Sequence, residues 1–278
     1  MGLGGYLAWT AVTREVKERL DEDVRILPCE GDGTNITKFV RSPVFENNPY
    51  IAKKDDDCRK FPLFLNNPSA NYCKTDTPLK AHHRYDKHMI AQMCEFYGIE
   101  NPELRCEMYF TKPERDKVKE LTNNFSGNFI TIEPISKTNY TPNREYPFAK
   151  WQKVVNELSK QIQVVQVGAN NSRLLEGVLD FRGKTSFREA ALVIGESKAF
   201  LSSEGGLVHA ATTVDTPSVV IITGYQHPDM VAYPQNVNIN LGQHGPCGLK
   251  IKCDECFSEV MNHDYSEIID KTVNLLKI

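Results

Sequence analysis

Apolar residues recur at three- and four-residue intervals through Leu7, Ala8, Ala11, Val12, Val16 and Leu20, with Arg14, Glu15, Lys17, Glu18 and Arg19 between them. That period predicts a helix with one apolar face, entered from the glycine-rich run Gly2-Leu3-Gly4-Gly5. Val24-Arg25-Ile26-Leu27 reads as a short strand. From 42 to 85 no period holds, and the crowding of Pro, Asn, Asp and Lys predicts loops with short elements. Helical spacing returns over 86–97 through Met89, Ile90, Met93 and Phe96, with Gly98 as a stop. A polar helix is expected over about 113–123, opening at Pro113.

Beyond residue 126 the pattern alternates regularly. Asn128 to Ile132 is a strand, and Pro147 opens a helix whose Phe148, Trp151, Val154, Val155 and Leu158 share a face. Gln163 to Val167 is a strand ended by Gly168. Ser186 and Glu189 have capping-box spacing, predicting a helix to about Glu196. Ala199 to Ser202 is a strand followed by a helix from about Gly205. Ser218 to Ile222 is another strand, and the last helix spans about 265–276. Alternating strands and helices predict an α/β fold with a parallel sheet covered on both faces. The length of 278 residues predicts two domains.

Hydrophobic residues make up 40% and charged residues 25%, a globular composition. The net charge of −3 carries no basic excess, which excludes an electrostatic nucleic-acid surface. No apolar run reaches the ~18 residues of a membrane span, and no secretory signal is visible. The expected compartment is the cytoplasm, with at most peripheral membrane contact. The eight cysteines are then thiols or metal ligands rather than disulfides.

Ligands of open parallel sheets sit beyond the carboxyl ends of the strands. In Glu204-Gly205-Gly206-Leu207-Val208-His209 the glycines permit a sharp turn and close backbone approach. The helix start suits a phosphate, with His209 donating and Glu204 accepting from sugar hydroxyls. A plain tight turn with a structural histidine fits the same spacing. The loop 136–145 offers Ser136, Lys137, Thr138 and Arg144 to a diphosphate, or is a solvated surface loop. Gly2, Gly4 and Gly5 form a third loop. His244-x-x-Cys247 and Cys253-x-x-Cys256 can present one imidazole and three thiolates to a structural zinc, or stand as reduced thiols. Asn170 and Asn171, past Gly168, are candidates for a ribose contact.

The runs Arg182-Gly183-Lys184-Thr185-Ser186-Phe187-Arg188-Glu189, Ser203-Glu204-Gly205-Gly206-Leu207-Val208-His209-Ala210-Ala211 and Thr216-Pro217-Ser218 resemble glycosyltransferase family 9, the bacterial heptosyltransferases. Arg144-Glu145-Tyr146-Pro147 matches that family's cation-x-aromatic-proline motif, and Gly2-Leu3-Gly4-Gly5 its glycine-rich first loop. The resemblance implies GT-B architecture: two Rossmann-like domains whose parallel sheets face each other across a cleft. Residues 1–125 would form the acceptor side and 126–278 the donor side, with the last helix packing back on the N-terminal domain. It implies inverting, metal-independent transfer of heptose or a similar hexose from an NDP-sugar, often ADP-heptose, as in lipopolysaccharide biosynthesis. The acceptor would be a glycan, lipid-linked glycan or protein hydroxyl. Arg144 would bind the diphosphate, and Gly205, Gly206, Leu207 and His209 would cradle it. Glu204 replaces the family's aspartate in that loop. Gly5 stands where the family's first loop carries the aspartate proposed as catalytic base, and no strand precedes the loop. The start lies upstream or the member is divergent. A base could come from Asp86, His82, His83 or His88, or the chain is a nucleotide-sugar-binding protein that has lost transferase activity.

Overall fold

The computed structural model describes residues 2–125, 127–135 and 140–277. Ser136, Lys137 and Thr138 therefore lie outside the described residues. Helix α1 (Leu3–Lys17) begins one turn earlier than its apolar spacing predicts, and is buried on nearly every side from Leu7 to Val16. It packs between two partners, described below. Thr10 and Thr13 are tolerated there because their hydroxyls donate back to Leu7 O (2.6 Å) and Trp9 O (2.9 Å). Strand β1 (Val24–Gly31) pairs antiparallel with β2 (Ile36–Phe39) and parallel with β3 (Arg59–Phe64). This N-terminal sheet has three strands, in the order β2-β1-β3. A hairpin follows, β4 (Cys73–Asp76) with β5 (Ala81–His83), then α2 (Met89–Glu95) and α3 (Lys112–Thr122). Thr111 caps α3 in a full capping box with Glu114, which fixes its start.

The C-terminal half follows the alternation closely. In order come β6 (Phe129–Glu133), α4 (Phe148–Leu158), β7 (Gln163–Gln166), β8 (Leu179–Asp180), α5 (Phe187–Gly195) and β9 (Phe200–Ser203). They are followed by α6 (Gly206–Thr212), β10 (Ser218–Ile222), α7 (Pro228–Val231), β11 (Val237–Asn240), α8 (Asp254–Asn262) and α9 (Ser266–Leu276). All pairings in this sheet are parallel, in the order β11-β10-β9-β6-β7-β8. Counted from β6, that is the doubly wound order, whose switch point lies between β6 and β9. Every residue of β6, β9 and β10 is buried, as a sheet covered on both faces requires. The capping box at Ser186 and Glu189 forms with both of its hydrogen bonds. Helix α9 lies on α4 and β10, within the C-terminal half, rather than returning to the N-terminal half. Its Ile268 is fully buried, in the apolar cluster that also holds Trp151, Val154 and Leu158 of α4.

Among the connections that join the halves, three bear on the site. Helix α1 packs against α2 on one side and α6 on the other, and one apolar cluster runs from Leu7 and Met93 to Phe200 and Ala210. The Arg188 guanidinium, buried in α5, donates to both Glu114 oxygens (2.6 and 3.0 Å), Tyr109 O (2.7 Å) and Pro43 O (2.9 Å). The β4–β5 hairpin is held to residues 248–250: Ala81 N donates to Gly248 O (2.9 Å), and Lys250 N donates to Leu79 O (2.8 Å).

Candidate donor site

A cavity of about 1070 Å³ opens at the switch point. The end of β6 and its following loop contribute Glu133, Tyr140 and Arg144. The β9–α6 loop contributes Glu204, Gly205, Gly206 and Leu207. The start of α1 contributes Gly2, Gly4 and Gly5. Arg144, the Glu204–His209 loop and the first glycine-rich loop, all predicted from sequence, thus meet in one place. The reason is topological: adjacent parallel strands that wind in opposite directions leave their following loops splayed around a crevice. Gly4 is needed for the close approach of α1 to α6. A Cβ there would stand 2.8 Å from His209 Cδ2 and 3.2 Å from the Gly206 Cα.

Arg144 and Glu204 form an ion pair, with the carboxylate buried and the guanidinium largely so. Gln226 Oε1 accepts from the same Nη2 (2.8 Å), and the Tyr225 ring lies 5.3 Å beneath the guanidinium carbon. Arg144 Nε is buried and has no hydrogen-bond partner among the described residues. A buried cationic donor left unpaired is costly, so Nε is open to an acceptor. Burial pushes the Glu204 carboxyl up, but Arg144 and the hydrogen bond with His209 outweigh it and hold Glu204 below its ordinary value. The His209 ring is itself buried. Its Nδ1 lies 2.7 Å from Tyr233 Oη and its Nε2 3.6 Å from Glu204 Oε1. The imidazole therefore supports Glu204 from behind.

Glu133 closes the floor. It is buried and is pushed up to about 8 by burial. Gly168, past β7, leaves room for it, since a Cβ there would meet Glu133 Oε1 at 3.2 Å. Gly168 and Ala169 line the cavity. Asn170 instead packs against Gly183, where an added Cβ would lie 2.5 Å from the Asn170 Cβ. Asn170 and Asn171 are not among the lining residues. Sequence reasoning missed Glu133, Tyr225 and Gln226. The positions of Tyr225 and Gln226 just past β10 were the available signal.

The cysteine cluster lies beside this site. His244 Nε2 is 3.7 Å from Cys253 Sγ and 3.6 Å from Cys256 Sγ, and Cys256 Sγ is 3.4 Å from Cys247 Sγ. Zinc–sulfur bonds of about 2.3 Å in a tetrahedron set sulfur–sulfur edges near 3.8 Å, so His244, Cys253 and Cys256 stand near three corners of such a site, with Cys247 adjoining Cys256. His244 Nδ1 faces Glu259 Oε1 at 2.8 Å, which fixes Nε2 as the free nitrogen. The cluster is also tied to Arg144 through the preceding residue. Asn143 Nδ2 donates to Leu249 O (2.8 Å) and Ile251 O (2.7 Å), and Cys253 N donates to Asn143 Oδ1 (2.9 Å). Cys247 N donates to Gly224 O (2.8 Å), next to Tyr225. Among the described residues no helix is long and apolar enough to cross a membrane.

A doubly wound parallel sheet with a cavity holding Arg144 at its switch point, and a second sheet across it, has the architecture of a GT-B glycosyltransferase. The profile of glycosyltransferase family 9 (heptosyltransferase) matches residues 71–260. The structure resembles a family 9 glycosyl transferase of Veillonella parvula DSM 2008 (TM-score 0.69, 12% identity, covering 99% of this chain and 94% of that one). It also resembles E. coli ADP-heptose lps heptosyltransferase II (TM-score 0.65, 13% identity, 99% and 96%). A third likeness is to TibC, the iron-containing dodecameric glycosyltransferase of enterotoxigenic E. coli H10407 (TM-score 0.69, 15% identity, 100% and 74%). TibC is also known in complex with ADP-D-β-D-heptose. A search of curated sequences finds no match. The chain belongs to glycosyltransferase family 9.

Proposed function

We propose that this enzyme transfers heptose, or a similar hexose, from ADP-heptose to a hydroxyl acceptor with inversion at the anomeric carbon. Arg144 carries the reading: a buried guanidinium at the switch point, with Nε unpartnered among the described residues, in a cavity of nucleotide-sugar size. Residues 126–278 supply the donor side and residues 1–125 the acceptor side. TibC, seen with ADP-D-β-D-heptose, suggests the donor. The acceptor oxygen attacks the anomeric carbon from the face opposite the diphosphate. The bond from that carbon to the phosphate oxygen breaks, its electron pair leaves with ADP, and Arg144 stabilises the charge that develops there. Glu204, accepting from Arg144, is placed to take sugar hydroxyls as well. Glycans, lipid-linked glycans of the lipopolysaccharide core and protein hydroxyls are the acceptor classes.

The transfer itself needs no metal. His244, Cys247, Cys253 and Cys256 would hold one zinc or iron ion, which when bound supplies a cross-link. This chain's own groups pass the constraint on: Asn143 to Arg144, and Gly224 to Tyr225. Calorimetry with ADP-heptose, and with GDP- and UDP-sugars as controls, tests the donor. An ADP-sugar is expected to bind, and Arg144→Ala to weaken binding roughly 10- to 150-fold. Absence of binding by every nucleotide sugar sinks the proposal. Gly5 in the family's base position favours a second reading, a binding protein without turnover, which donor binding without ADP release would support.

A further inference from the structure

An inverting transfer needs a base within hydrogen-bond reach of the attacking hydroxyl, and Gly5 has no side chain to serve. The base must come from the N-terminal side of the cavity, opposite the donor loops. The acidic or basic groups that line it there are Glu30, Tyr72, Cys73, Asp76 and His83, besides Tyr6. Glu30 is engaged by Lys38 (3.6 Å) and Asp76 by Lys250. Burial pushes the Tyr72 hydroxyl up to about 12 and raises the Cys73 thiol. Outside the cavity, Asp86 is locked to Arg84, His82 is exposed, and His88 caps α2 through Nδ1 while its ring packs against Tyr233.

We propose that His83 is the general base of the transfer, held over the donor site by the β4–β5 hairpin. The proposal rests on the reading of the cavity as a nucleotide-sugar site. His83 lies on β5, stacked on Tyr72 (ring centroids 5.9 Å apart) and edge-on to Tyr85 (6.0 Å). Tyr85 Oη sits 3.5 Å from Nδ1, leaving Nε2 for the acceptor. The hairpin is fastened to residues 248–250 of the other half, so the imidazole is held to the donor side rather than swinging with a free loop. The groups acting on the ring are Arg144, Asp76, Glu204 and His82, with Tyr72 and Tyr85 in contact. Burial, then Arg144, lowers His83 to about 4, with Asp76 and Glu204 opposing. The ring is therefore neutral at physiological pH and about as basic as an aspartate. In the step, the acceptor O–H proton passes to Nε2 as the oxygen bonds to the anomeric carbon and ADP departs with the electron pair.

The test is ADP release from ADP-heptose, with water as the acceptor, by His83→Ala and His83→Gln, alongside calorimetric ADP binding. Loss of a general base is expected to lower release by about 10²-fold or more in both variants. ADP affinity is expected to stay unchanged, which also reports an intact fold. Added imidazole is expected to restore release to His83→Ala, and the wild-type acid limb near pH 4 is expected to vanish. Release that stays within about threefold of wild type, with the acid limb retained, overturns the proposal. Wild-type binding of ADP-heptose without ADP release at any pH also overturns it and leaves the binding reading standing. Failure to bind ADP or ADP-heptose removes the donor-site reading beneath it.

Discussion

Glu133 offers a quantitative check on the buried end of the site. Its carboxyl is held near 8 by burial, whereas an exposed glutamate titrates near 4.5. Between those values the unfolded chain has released the proton and the folded chain has kept it. Stability therefore falls as pH rises, by about 1.4 kcal/mol for each pH unit. Over the whole span the loss reaches ~5 kcal/mol, a large share of the 5–15 kcal/mol that typically holds a domain together. Glu133→Gln keeps the shape and removes the ionisation. Its unfolding free energy, measured by urea titration at pH 5, 6, 7 and 8, is expected to equal wild type's near pH 4.5 and to exceed it progressively toward pH 8. Parallel profiles for the two proteins would refute the reasoning, because they would mean that Glu133 is charged in the folded state at neutral pH.

Three other outcomes follow from the geometry. Arg144→Ala removes a charged donor worth about 1.5–3 kcal/mol, so ADP should bind roughly 10- to 150-fold more weakly in calorimetry. Gly4→Ala puts a methyl 2.8 Å from His209 Cδ2; overpacking of this kind costs about 1–3 kcal/mol and should lower Tm and donor affinity together. Metal analysis should find one ion per chain, and Cys253→Ser should lose it. That loss should also weaken ADP binding, because Cys253 N holds Asn143 next to Arg144; full ADP affinity without the metal would separate the two sites.

The C-terminal half was legible because its signals are local. Pro147, the Ser186 box and strands of continuous apolar residues each specify their own element, and β10 was placed at Ser218–Ile222. The family motifs then located Arg144 and the β9–α6 loop. What stayed hidden depends on distant partners. β3 carries Arg, Lys and Pro, and is a strand because β1 pairs with it. The four-residue β4 and three-residue β5 form a hairpin too short for any period to mark, so His83 could not be separated from His82 or His88. Glu133 lies one residue past the strand predicted from sequence, and only the fold shows that it is buried. The burial of His209 likewise depends on Tyr233, 24 positions away in sequence.

The apolar cluster shared by α1, α2, α5 and α6 bears on how substrate comes and goes. Two lobes joined by a linker can swing apart like a clamshell. Here a hinge motion would have to expose Leu7, Trp9 and Ala11 to water and draw α1 away from α6, against Arg188 and the hairpin fastening. Exposing that surface costs about 25 cal/mol per Å², which opposes wide opening. Donor exchange through the loops at the rim would avoid that cost.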